Sequence, residues 1–391
     1  PASVPTSTSS VTLAPGDEID VSGGSADVLT LNISGNDPNG TNPGKFTIGA
    51  VSSGTLNIYG DLNINAGTNP TPDAGTFTNT IGTVYFLGGV SGTPASINNF
   101  GTYNSAVGAT SQTYFNGFTQ IINDPAASTT FSLLNVGVDG VPAGTGVVGT
   151  RGYLKINPGT TVKITNGIKM PLNNATLDAL GSTIEMTTST NNGTITVDAS
   201  GITFGNIVVD RLLSGNYSLV NITKPMNVAG LINVNSGILN TNNNLTLLSQ
   251  GAIDTNGGDT GILTDGDGQI GRFGSSGFIA GSITAQRKLD ALPAGAYAYR
   301  YLGSPVSMAA PPVSPMLDAF YGSLTGAFAP GDGMVYNSAA ASTVSFNGAL
   351  FGTAQTLATT SGAIPSVSGV QGGNKTWSFT TTGWKLIGNP Y

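Results

Sequence analysis

Residues 228–253 read VAGLINVNSGILNTNNNLTLLSQGAI, a stretch without an acid, a base or an aromatic ring. Its apolar residues come in short alternating bursts, Ile232-x-Val234 and Leu245-x-Leu247, and Gly or Asn separates one burst from the next. Alternation with a period of two is the pattern of a strand with one buried face. Such brief strands bury only two or three side chains each, so they need close neighbours to hold them. The pattern extends far outward from this stretch. It recurs at Val28-x-x-Leu31-x-Ile33, Leu56-x-Ile58, Leu62-x-Ile64, Val84-x-Phe86, Leu154-x-Ile156, Val162-x-Ile164 and Ile168-x-Met170. It continues at Ile184-x-Met186, Ile195-x-Val197, Ile202-x-Phe204 and Ile207-x-Val209. No long segment places apolar residues at i, i+3, i+4 and i+7, and Gly or Pro interrupts almost every helical candidate.

Two all-β architectures compete for this pattern. Sandwich strands usually run longer and carry aromatic partners across the core, which makes tandem sandwiches the second choice. A β-solenoid uses short strands joined by sharp corners, each coil buried against the next. Gly159, Gly167, Gly181, Gly193, Gly201, Gly230, Gly237 and Gly251 fall where such corners belong, because Gly accepts φ > 0 without strain. The run Asn240 to Asn244 is expected to turn one corner and stack its amides along it. The expected fold is therefore all-β: a parallel β-helix or solenoid followed by a small β-sandwich module.

Composition agrees and removes several functions. Hydrophobic residues make up 39% of the 391-residue chain and charged ones only 8%, against roughly 25% charged in an ordinary soluble domain. Charge-driven disorder does not fit that balance. The 57 Gly fit many tight turns. There are 13 Lys+Arg against 20 Asp+Glu, net −7, and no basic residue lies between Lys45 and Arg151. Without a basic footprint the chain does not read as a nucleic-acid binder or as an electrostatic binder of anionic lipid. No run approaches the about 18 apolar residues of a membrane helix, so direct membrane insertion is not expected. Cys and His are both absent, which removes disulfides, thiol nucleophiles, thiolate metal sites and the usual general base near neutral pH.

Three domains are expected: an extended arm or linker over 1–14, a β-solenoid over 15–285 and a β-sandwich module over 286–391. The opening PASVPTSTSS has neither a charged n-region nor an apolar h-region, which fits a cytosolic chain or a mature, already cleaved form, and composition favours the second. Near Gly281 the texture changes. Basic residues, Tyr297, Tyr299, Tyr301 and several prolines arrive, and both Trp residues, Trp377 and Trp384, lie in this last part. Aromatic anchors with longer loops suit a sandwich with its own core.

Three groups of segments carry a family resemblance. ATLDALGSTIEMTTSTNNGTITVDASGITFGNIVVD (175–210), continuing into YSLVNITKPMNVAGLINVNSGILNTNNNLTLLS (217–249), reads as repeated coils punctuated by Gly and Asn. SITAQRKLDALPAGAYAYRYLGSPVS (282–307) reads as a coil passing into an aromatic strand and a Ser-Pro-Val turn. FAPGDGMVYN (328–337), VSFNGALFGT (344–353) and GWKLIGNPY (383–391) form the module that follows. Together they resemble secreted surface proteins of the Bacteroidetes exported by the type IX secretion system. The resemblance covers residues 150–391 and, more loosely, the part before them. It implies a secreted, extracellular or cell-surface protein. In that family the chain usually continues past Gly-Asn-Pro-Tyr into a sorting domain, so this chain is expected to be a fragment or a processed form.

Candidate chemistry is sparse. Asp254, Asn256, Asp259, Asp265 and Asp267 place oxygen ligands within one short span, and Ca²⁺ takes six to eight of them. An EF-hand-like loop from Asp265 wants acids where Gln269 and Ser276 stand, so Asp-Gly turns explain the same residues. Glu18 and Glu185 are the only glutamates, and nothing in the sequence pairs them as a glycosidase requires. Lys155, Lys163, Lys169, Asp178 and Glu185 share one face if their coils stack in phase; a solvated charge ladder is the plainer reading. Trp377 and Trp384 sit in alternating contexts that favour core packing over stacking on sugars. The Asn-x-Ser/Thr triplets at Asn32, Asn174, Asn192, Asn216, Asn221, Asn244 and Asn374 suit surface ladders. No phosphate-binding glycine loop opens a helix.

The sequence thus predicts a non-enzymatic extracellular structural or adhesive protein that assembles into a fibre or surface layer, with no catalytic or cofactor-binding residue and calcium as the one candidate ion. Its partners would be further copies of itself or cell-surface glycans, the uncharged stretch 1–14 capping its own end or pairing with a neighbour. The alternative is a carbohydrate-binding or carbohydrate-cleaving surface protein built on a β-helix.

Overall fold

A burst of three or four alternating residues cannot bury itself, and the chain meets this by winding. The computed structural model describes residues 5–36, 42–67, 73–90, 92–105, 110–137, 152–171, 175–187, 194–213, 216–217, 219–249 and 268–289. It also describes the short segments 299–303, 333–337, 342–349, 370–371 and 375–376. Every regular element among them is a strand, and no helix there is long and apolar enough to cross a membrane.

The parallel pairings of the described residues run in three ladders. The first begins at Ser10–Leu13 and passes through Thr30–Ile33, Leu62–Ile64, Ala95–Asn99, Phe118–Asn123 and Tyr153–Ile156. It continues through the opening residues of Thr176–Thr187 and Thr203–Asp210, then Met226–Val228 and Leu245–Leu247, to Ser282–Leu289. The second climbs from Glu18–Val21 through Lys45–Ile48, Thr76–Asn79 and Thr102–Ser105 into the first half of Ser128–Val136. From there it follows Thr161–Met170, Thr176–Thr187, Thr203–Asp210 and Leu231–Asn240 to Gln269–Ala280. The third rises from Ser25–Val28 through Thr55–Ile58, Thr83–Phe86 and Gln112–Phe115 into the second half of Ser128–Val136. It ends through Ile195–Ala199, Leu219–Ile222 and the second halves of Leu231–Asn240 and Gln269–Ala280. This is a three-faced parallel β-solenoid.

The core is a column enclosed by the three faces. Leu31, Ile33, Ile48, Leu56, Ile58, Leu62 and Ile64 are all 0% exposed, each the inward member of an alternating burst. Because the ladders are in register, like residues stack. Phe46, Phe77 and Tyr103 lie over one another with centroids 5.6 and 4.8 Å apart and planes within 4° of parallel. Phe86 stacks on Phe115 at 5.0 Å in the third ladder. Each ring buried this way contributes about 1.5–3 kcal/mol from apolar area alone. The Tyr103 hydroxyl is 3.2 Å from Thr113 Oγ1, which is 3.0 Å from Ser105 Oγ. That small network keeps the enclosed hydroxyls paired. Burial with no charge nearby pushes the Tyr103 phenol well above its ordinary value.

Glycine columns mark the corners of the early coils. Thr76 and Thr102 donate their N–H to Gly44 and Gly75 at 3.1 Å, and Ser128 donates to Gly101 at 3.0 Å. Gly24, Gly54 and Gly82 play the same part for Thr55, Thr83 and Gln112 at the next corner, as Gly88, Gly117 and Gly152 do for Phe118, Tyr153 and Thr176 at the third. Close approach explains the residue type: a Cβ on Gly117 would stand 2.2 Å from the Gly88 carbonyl oxygen. In later coils neighbouring faces merge into single strands, the second with the third in Ser128–Val136 and the first with the second in Thr176–Thr187, bent where the register slips between Phe131 and Leu133, Ala179 and Thr183, and Val209 and Asp210. Such bulges bend a strand without breaking its ladder.

The expected Asn240–Asn244 corner is present. Asn242 and Asn243 take φ of 47° and 63°. Asn242 Nδ2 donates to Asn221 Oδ1 at 2.7 Å and to the Ile222 carbonyl at 2.9 Å. Asn243 Oδ1 accepts from the Ser282 N–H at 2.8 Å. The run therefore ties the coil before it to the coil after it.

At the ends, two expectations meet the structure. Ser10–Leu13, which falls inside the expected arm over 1–14, is the first strand of the first ladder. Ser282–Leu289 crosses position 285 and pairs on its far side with Ser342–Ala349, antiparallel. Tyr299–Gly303 with Gly333–Asn337, and Val370–Gln371 with Lys375–Thr376, are antiparallel as well. Trp377 and Trp384 lie outside the described residues.

Candidate functional surface

With the inward positions filled by apolar side chains, function has to lie on the outward positions of the three faces. Most of the described charged residues lie there, the enclosed Arg211 aside, and several pair between coils. Lys45 Nζ is 2.8 Å from Glu18 Oε1, and Lys224 Nζ is 3.0 Å from Asp198 Oδ1. Lys163 Nζ is 3.6 Å from Glu185 Oε1. These pairs link neighbouring coils on partly solvated surfaces, each contributing up to about 1 kcal/mol.

The expectation that Lys155, Lys163, Lys169, Asp178 and Glu185 share one face is corrected. Lys155 opposes Asp178 on the first ladder. Lys163 opposes Glu185 on the second. Lys169 opposes Asp198 on the third. Coil lengths vary along the chain, so even spacing in sequence does not give equal phase around the axis. Glu18 and Glu185 share the second ladder but sit six rungs apart, or roughly 29 Å at about 4.8 Å per rung. That separation cannot hold one glycosidic bond between two carboxyls.

Outward amides form a ladder of their own. Asn98 Nδ2 donates to Asn63 Oδ1 at 2.7 Å, Asn63 to Asn32 Oδ1 at 2.8 Å, and Asn32 to Thr12 Oγ1 at 3.2 Å. Of the expected Asn-x-Ser/Thr positions, Asn32 thus lies on a surface ladder, as does Asn221 through Asn240 and Asn242.

Outward aromatics were not anticipated from the sequence. Tyr85 stacks on Tyr114 at 4.9 Å on the third face, and Phe118 on Tyr153 at 5.4 Å on the first. Partial burial raises the phenols of Tyr85, Tyr114 and Tyr153, and for Tyr153 the adjacent Asp178 carboxylate adds to the rise. A sugar platform needs an open ring face. Within each pair the rings cover one another, so these residues act first as cross-coil fasteners.

Arg211 is the other residue that sequence reading missed. It is 0% exposed, at the bend between the second and third faces. Its N–H donates to the Ser236 carbonyl at 3.1 Å, and Nη1 donates to the carbonyls of Thr187 at 3.0 Å and Thr165 at 3.1 Å. The guanidinium reaches back over two coils and satisfies backbone acceptors that the bends expose. Burial draws its pKa down to about 10, which leaves it cationic at neutral pH.

Asp254, Asn256, Asp259, Asp265 and Asp267, the calcium candidates, all lie outside the described residues. Among the described residues no group of three or more Asp or Glu is placed to hold a metal ion. Searches of protein-family models, curated proteins and solved structures find nothing that matches this chain.

Proposed function

We propose that the chain is the stiff body of a secreted structural or adhesive surface protein rather than an enzyme. One observation carries the reading: three parallel ladders begin at Ser10–Leu13, Glu18–Val21 and Ser25–Val28 and link coil to coil as far as Gln269–Ala280 and Ser282–Leu289, while outward side chains such as Asn63, Lys163 and Tyr114 contact neighbouring coils. Side chains that bond across coils resist bending and leave few groups free to bind a substrate. Roughly 50 Å of axial length follows from about 4.8 Å per coil along the first ladder. The resemblance to type IX secretion cargo supports placement outside the cell. Electron microscopy of the purified chain tests the reading, with a rod of that length and resistance to broad-specificity proteases as the expected result. A flexible particle digested within its ladders would sink it. The carbohydrate alternative has its own check: a glycan array, and an assay for newly formed reducing or unsaturated sugar ends, should both stay blank.

A further inference from the structure

Two outward tyrosines are held where they can be joined. Tyr85 lies in Thr83–Phe86 and Tyr114 in Gln112–Phe115, neighbouring strands of the third ladder, and the two residues are direct partners in its register. Because the strands run parallel and in register, both side chains leave the same face in the same direction. Their rings stack with centroids 4.9 Å apart and planes 22° from parallel. The stack is pinned from both sides of the sheet. Inward, on the same two strands, Phe86 lies on Phe115 at 5.0 Å. Outward, the Tyr114 hydroxyl donates to Gln112 Oε1. Both tyrosines keep part of their surface open to solvent. Among the described residues the other stacked tyrosines, Tyr103 and Tyr153, lie against Phe77, Phe131 and Phe118, so those stacks do not bring two phenols together. The chain has no Cys to draw off an oxidising equivalent.

We propose that Tyr85 and Tyr114 form a modification site, coupled by one-electron oxidation into a dityrosine that staples two coils of the solenoid. The co-reactant is hydrogen peroxide acting through a haem peroxidase, since one-electron chemistry of this kind belongs to a cofactor. Each phenol gives up one electron and one proton, and each phenoxyl radical shares its unpaired spin with the ring carbons ortho to oxygen. A carbon–carbon bond forms between one Cε of each ring. Each joined carbon then loses its hydrogen as a proton while the oxygen of the same ring takes one up, which restores both aromatic rings and both hydroxyls. The balance is two tyrosines and one hydrogen peroxide giving one dityrosine and two waters. A pair already held in contact needs no encounter between molecules, so coupling within the chain outruns coupling between chains. The bond closes a loop of chain between positions 85 and 114, which restricts the unfolded state as any cross-link does. The site goes beyond the structural reading above and stands on the local stack alone, so either can fail without the other.

The test treats the whole chain in three forms, unaltered, Tyr85→Phe and Tyr114→Phe, with hydrogen peroxide and a haem peroxidase, after circular dichroism has shown each form to be folded. Dityrosine fluorescence reads the product, and mass mapping of chymotryptic peptides places it. The unaltered chain should give a cross-link that leaves it a single chain on a denaturing gel. The Tyr85 and Tyr114 peptides should emerge joined, lighter than their sum by two hydrogens. Yield per chain should not change with protein concentration. Either substitution should abolish this product. Treatment should also raise the urea midpoint of the unaltered chain and leave that of Tyr85→Phe where it was. Failure to form dityrosine overturns the proposal, and so does dityrosine that maps to other tyrosines, persists in the variants or joins only separate chains. A joined pair whose formation leaves the urea midpoint unmoved overturns the staple.

Discussion

At the scale of single residues, stability rests on a few groups that serve more than one coil. Arg211 bonds the backbone of Thr187 and Thr165 from a fully enclosed position. Arg211→Ala should cost about 2–4 kcal/mol, combining a cavity with carbonyls that lose a donor. Arg211→Met restores volume but not the bonds, so its denaturation midpoint should fall between the two. Tyr103 gives a pH signature. Its folded phenol titrates above the unfolded value of about 10, so its contribution is whole below pH 10 and is lost as pH rises towards the folded pKa. The chain should therefore lose stability on alkalinisation beyond pH 10. Tyr103→Phe should lose less, because Thr113 and Ser105 still bond each other. An equal slope for both proteins in urea titrations from pH 9 upward would contradict this. Arg211, with its pKa lowered, contributes in the opposite sense over the same range, which is why the comparison is made between variants.

At the scale of elements, corners decide whether a coil can lie on its neighbour. Gly117→Ala puts a methyl against the Gly88 carbonyl and should destabilise by about 1–3 kcal/mol. The loss should appear as faster amide exchange in Phe118–Asn123 and Gln112–Phe115 and fade with distance, as nearest-neighbour coupling requires. Asn243→Ala should cost about 1–2 kcal/mol through its left-handed backbone, plus the lost bond to Ser282. Asn243→Gly should recover the first part only. Exchange at Leu245–Leu247 and Ser282–Leu289 separates the two. The strands themselves were legible in advance. Leu56 and Ile58, Val84 and Phe86, Ile184 and Met186, and Ile232 and Val234 are the buried members of their strands, because period two is a local property. The Asn240–Asn244 corner was legible for the same reason. Which strands share a face was not. Phase depends on the summed length of every preceding loop, and that is why Lys155, Lys163 and Lys169 part company. Arg211 escaped because its partners are backbone carbonyls, which leave no trace in side-chain pattern.

At the scale of the whole molecule, the ion pairs among the described residues lie partly open to solvent, with 48% and 65% of the Lys45 and Glu18 side chains exposed. Thermal stability of the rod should therefore change little between low and high salt. Calorimetry at low and high salt checks this. Cooperativity should be graded too: amides of the starting coil should exchange fastest and those around the stacked rings slowest.

The direction of the ladder bonds has a mechanical side. They lie along the axis, so tension between the two ends loads one rung at a time rather than all in parallel. The same body that resists bending would then pay out under pull, coil after coil, each lengthening the tether by about 3.3–3.6 Å per freed residue. Rewinding needs only the next intact coil as its template. A rod of this kind is also a spool, able to absorb a sudden tug and take it back.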